Sequence, residues 1–132
     1  MKELNNELFP KPIGAYSNGL SIPLGDKELI VLTGQQAIGT DGKAVYPDDP
    51  AKQTEFIFER IRSLLNEAGA DLINAVKVVI YVTNMDDFAK ISPVRNKYLG
   101  ESRPVSTLVE VSRLTIPGCV VEIDLTAIKW GF

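Results

Sequence analysis

A chain of 132 residues, 45% hydrophobic and 23% charged, can build one domain with a real core but not two, so residues 1–132 are expected to form a single domain. Fourteen scattered basic residues against seventeen acidic ones leave a net charge of −3, which argues against nucleic-acid binding and against an anionic membrane surface. With no histidine and one cysteine, Cys119, the chain excludes Ser-His-Asp and Cys-His nucleophiles, His-ligated metal and an intramolecular disulfide.

The opening stretch MKELNNELFPKPIG has no apolar leader pattern, and no run approaches the ~18 apolar residues of a membrane span. A cytoplasmic location is therefore expected. Residues 15–23 and 28–38 read as two strands, joined by a turn containing Pro23, Gly25 and Asp26. The punctuated stretch 39–50 leads into a helix, with Asp49 as N-cap and Pro50 at its first position. That helix carries Phe58, Ile61, Leu65 and Ala68 on one stripe, widened by Phe56, Ile57 and Leu64, and stops at Gly69.

Residues 74–84 are β-branched and nearly continuously apolar, as suits a covered strand. A second helix is expected from Asn84 or Asp86 to Gly100, with Pro93 forcing a kink or a restart capped by Ser92. Two strands close the chain, 105–114 and 119–128, joined by residues 115–118.

The order β-β-α-β-α-β-β predicts an α+β two-layer sandwich, one mixed sheet with both helices on one face. The last two strands have no fully polar side. Val120, Glu122, Asp124, Thr126 and Ile128 alternate with Cys119, Val121, Ile123, Leu125 and Ala127. A half-apolar open face predicts burial by self-association, its polar members lining a cleft.

Four motifs in order, Gly14-Ala15-Tyr16-Ser17-Asn18-Gly19, Leu32-Thr33-Gly34-Gln35, Val109-Glu110-Val111-Ser112-Arg113-Leu114 and Val121-Glu122-Ile123-Asp124, resemble the RidA/YjgF family, the reactive intermediate deaminases. The likeness spans essentially the whole chain and includes Asn66-Glu67-Ala68-Gly69 and Asp87-Phe88-Ala89. It implies a chorismate-mutase-like fold and a homotrimer with clefts between subunits. It also implies hydrolysis of small enamine or imine acids to the carbonyl compound and ammonia, with no metal and no cofactor. The runner-up is a trimeric small-ligand-binding or regulatory protein that uses the same clefts without turnover.

Carried over position by position, the resemblance makes Glu122 the catalytic carboxylate and places Tyr16, Thr33, Gly34 and Leu108 around the substrate. The family's carboxylate-binding arginine falls on Ser106 and its usual asparagine on Ser92, two departures where substrate is selected. A serine offers one neutral hydrogen bond in place of a charged fork.

Two other arginines invite attention. Arg113, seven residues on, would lie about 23 Å from Ser106 along an extended strand and is expected to be structural, pairing with a carboxylate or carbonyl. Arg103, roughly 10 Å before Ser106, is kept as a substrate-binding candidate, although strand parity would turn it to the other face. Glu122 interrupts an apolar face, where an unpaired carboxylate is costly. Glu110 is expected to be structural, Cys119 a small unactivated strand residue, and Lys52 and Lys97 solvated.

Overall fold

Local chemistry sets the first helix. Asp49 accepts a hydrogen bond from the Lys52 amide, and Pro50 begins the helix where its missing N–H costs nothing. The computed structural model describes residues 1–131; Phe132, the last residue of the expected domain, lies outside them. In chain order the elements are β1 (Lys2–Leu4), β2 (Gly19–Leu24), β3 (Lys27–Leu32), β4 (Gln35–Gln36), α1 (Pro50–Glu67), β5 (Ala75–Val82), α2 (Phe88–Leu99), β6 (Val105–Glu110) and β7 (Val121–Trp130).

The strands form one mixed sheet in the order β1-β2-β3-β7-β5-β6, with β4 also on β7. Only β5 and β6 are parallel, and α2 is their crossover. Against one face lie Ile57, Phe58, Ile61, Leu64 and Leu65 of α1, all fully buried with Val78, Ile80, Val121 and Ile123 of the sheet. The other face carries no helix, and Glu122, Asp124, Thr126 and Ile128 of β7 are half-buried along it. The architecture is the α+β sandwich expected, built with two additional short strands, β1 and β4.

Several element boundaries differ from expectation. The first strand, foreseen over 15–23, runs over Gly19–Leu24 and leaves Tyr16 in the segment before it, and the last, foreseen over 119–128, runs over Val121–Trp130 and leaves Cys119 in the preceding loop. The strand foreseen over 28–38 is broken at Thr33-Gly34. Val31 pairs with Thr126 but Gln35 with Ile123, so four residues on one side match three on the other, which defines a bulge. The second helix is continuous through Pro93, with no restart at Ser92. Asn84 instead caps a short 3-10 turn over Met85–Asp87, and Pro93 and Ala89 both face solvent, where water can satisfy the carbonyl left without a donor. The strand foreseen over 105–114 ends at Glu110, after which residues 111–120 form a loop.

That loop is held by a buried side chain. Gln53 of α1, fully buried, donates to the carbonyls of Val45 (3.3 Å), Tyr46 (3.0 Å) and Gly118 (2.8 Å), and accepts from the Val120 amide (2.9 Å). Two irregular segments are thus fastened to the helix beneath them.

Candidate functional site

The expected site residues separate into two groups. The first is built around Glu122, which sits at the start of β7 between Gln36 of β4 and Tyr81 of β5. Its carboxylate accepts from Gln36 Nε2 at 3.0 Å, and the same amide reaches Thr115 Oγ1 at 2.7 Å on the 111–120 loop. Gly34 lets the bulge lie against that carboxylate. A Cβ at that position would stand 2.5 Å from Glu122 Oε2, so only glycine lets the backbone and the carboxylate lie together. Burial pushes the Glu122 carboxyl above its ordinary value; Gln36 offsets part of this, and Asp124, two residues along the same face, adds to it.

Thr33 extends this rim. Its amide donates to Asn18 O (2.8 Å) and its hydroxyl to Ser17 O (2.5 Å), which draws the segment bearing Tyr16 alongside the bulge. Tyr16 is half exposed and lies over Gly14, sharing a shallow recess of about 220 Å³ with Thr33 and Val31. Tyr16, Thr33, Gly34 and Glu122 therefore form one continuous edge.

The second group lies elsewhere. Ser106 pairs laterally with Val78 and Leu108 with Ile80, so both side chains take the helix-covered face of the sheet, while Glu122 pairs with Tyr81 on the open one. Leu108 packs partly buried against the core, whereas Ser106 is exposed at the edge. Three residues along the strands and two strands across put Ser106 about 14 Å from Glu122, on opposite faces. One copy of the chain does not bring these two residues together.

Beside Ser106 lies a groove of about 430 Å³ between the end of α2 and the start of β6, which Arg103, Arg95 and Asn96 also line. Arg103 precedes the strand in a left-handed conformation (φ 49°), so strand parity does not govern it and it shares the groove with Ser106, contrary to expectation. Ser92 faces this group rather than Glu122, and its hydroxyl accepts from Arg95 Nη2 at 3.1 Å.

The other expectations resolve as follows. Arg113 is exposed in the 111–120 loop, not on a strand, and lines a groove of about 680 Å³ with Thr83, Thr115 and Cys119. No carboxylate pairs with it among the described residues. Its place on the loop that touches Gln36 makes the distance drawn from an extended strand inapplicable. Glu110 is structural, accepting from the Met85 amide at 2.8 Å. Cys119 is buried, its thiol pushed up by that burial, and its Sγ lies 3.6 Å from Ala37 O. Two residues that sequence reasoning passed over are Gln36 and Arg95. Gln36 follows the Thr33-Gly34 motif closely enough to have been suspected; Arg95 lies on an exposed-looking helix turn with no such signal.

A family model described as Endoribonuclease L-PSP matches residues 7–129. A RutC family protein of Pyrococcus horikoshii is 38% identical over 130 residues, covering 98% of this chain and 99% of the relative. Among solved structures, a Thermotoga maritima protein superposes with a TM-score of 0.85 at 29% identity, covering 99% of each chain. RidA from an Antarctic Psychrobacter superposes with a TM-score of 0.79 at 26% identity, covering 98% of this chain and 99% of that one.

Proposed function

Because this chain belongs to the L-PSP family, the RidA/YjgF group, we propose that it hydrolyses a small enamine or imine of the 2-imino acid type to the carbonyl compound and ammonia. The observation that carries the reading is Glu122. It is a half-buried carboxylate, raised in pKa, laid against the Gly34 backbone and steadied by Gln36.

Such a group can take a proton from water as the oxygen adds to the C=N carbon, giving a carbinolamine. The proton then passes to the amine nitrogen. The C–N bond breaks as the hydroxyl gives up its proton, and ammonia leaves with the new C=O in place. The sequence is a hydrolysis, so no electron acceptor is needed.

The separation of the two residue groups supports a cleft closed between copies of the chain. One copy would lend Tyr16, Thr33, Gly34 and Glu122; another would lend Ser92, Ser106 and Leu108. The open sheet face, half-apolar and ending at an edge strand where Val105 is 68% exposed, is the surface that a homotrimer would cover.

The test is turnover of 2-iminopropanoate and 2-iminobutanoate generated in situ. Wild type should accelerate loss of the imine, and Glu122→Ala should reduce that acceleration by about a hundredfold or more. No acceleration by wild type across several imino acids would overturn the enzyme reading and leave a non-catalytic binding protein.

A further inference from the structure

In the groove between α2 and β6 stand two arginines that the deaminase reading does not use. Arg95 and Arg103 both line it, and no carboxylate pairs with either guanidinium among the described residues. Among the described residues only Lys27 and Arg62 form ion pairs, so what sets Arg95 and Arg103 apart is that they line one recess with no acidic residue in its wall. Two cations sharing a carboxylate-free recess repel each other, and an anion between them removes that cost.

The two side chains are positioned independently. Arg95 is held by Ser92 Oγ (3.1 Å) and Asn96 Oδ1 (3.3 Å), which use one face of its guanidinium and leave donors free. Arg103 is fixed through its backbone, whose left-handed turn is tied by its amide to Leu99 O at 2.9 Å and followed directly by Pro104. The floor is apolar, from Val78 and Leu99, and the Ser106 hydroxyl stands at the edge. A volume of about 430 Å³ is that of a small-molecule site.

We propose that this groove binds a small oxyanion, a carboxylate or phosphate group, through Arg95 and Arg103, with Ser106 as a neutral donor. If the deaminase reading holds, the anion is the substrate's own charged group, gripped from the groove walls rather than from position 106. The groove's affinity for an oxyanion does not depend on turnover.

Isothermal titration of the intact protein with pyruvate, and separately with inorganic phosphate, tests it at matched ionic strength. At least one probe should saturate, and the stronger one identifies the anion. Arg95→Gln and Arg103→Gln should each weaken that binding by about tenfold, while Arg113→Gln, which removes an arginine outside the groove, should not. Circular dichroism and thermal melts establish that the variants are folded. Failure of both probes to saturate, or affinity retained in the Arg95→Gln/Arg103→Gln double variant, overturns the proposal. Oxyanion binding without any imine turnover would leave the groove standing and sink the deaminase reading alone.

Discussion

The Glu122 rim and the Arg95–Arg103 groove hold opposite charges by opposite means. At the rim a carboxylate is withdrawn from water, pressed on backbone at Gly34 and braced by Gln36, so its surroundings penalise its charge. In the groove two cations stay at the surface, unpaired, with their positions fixed by neighbours that carry no charge. A site for moving protons needs a carboxylate that is reluctant to ionise; a site for holding an anion needs cations left unspent. The same sheet supplies both because its two faces are differently covered.

The comparison can be broken most severely at Gly34. Gly34→Ala places a Cβ 2.5 Å from the present position of Glu122 Oε2, and the carboxylate is the flexible party, so it moves and the fold does not. Imine turnover should fall by about a hundredfold while stability changes by less than about 1 kcal/mol, as a 1 Å misplacement of a reacting group implies. Parallel kinetics and urea unfolding check both halves; a large loss of stability would mean that glycine serves the bulge alone.

A smaller effect tests the groove. At φ 49° Arg103 carries the steric cost of a side chain in the left-handed region. Arg103→Gly should therefore be more stable than Arg103→Ala by about 1 kcal/mol, although both lose the guanidinium. Equal stability of the two variants in chemical denaturation would show that the backbone there is not strained.

The least effect is in pH dependence. With its pKa raised in the folded state, Glu122 contributes stability below its ordinary value of 4.5 that is lost as pH rises through the raised value. Glu122→Gln has no such group. Its stability relative to wild type should therefore increase with pH across that window, by an amount reduced by partial solvent exposure. Thermal melts between pH 4 and 7 measure it, and an advantage that shrinks as pH rises would contradict the direction assigned.

What could be read in the residues was what is decided locally. Asp49 and Pro50 start α1 through neighbours three or four positions away, and the apolar stripe of that helix faces the core as its spacing requires. The break at Thr33-Gly34 was out of reach because it shows only against the partner strand, where Val31 and Gln35 meet Thr126 and Ile123 far along the chain. The end of β6 was hidden for a related reason. Val111 still donates to Val82 O at 2.8 Å, so the alternation runs on to the last ladder bond before the chain turns away. That turn undid the reasoning about Arg113, and parity misjudged Arg103 because it precedes the strand. Family likeness named residues of both groups, but strand register alone shows that Ser106 and Glu122 occupy opposite faces of one copy.

Gln53 ties the 43–50 segment and the 111–120 loop through a single amide. The bond from the Asp48 amide to Gly118 O (3.0 Å) joins the two segments directly. Neither can loosen far without releasing the other, so they form one cooperative opening unit. In native-state hydrogen exchange the amides of Asp48 and Val120 should then share one opening free energy. Thr115, and with it the brace on Gln36 beside Glu122, would come and go with that same event.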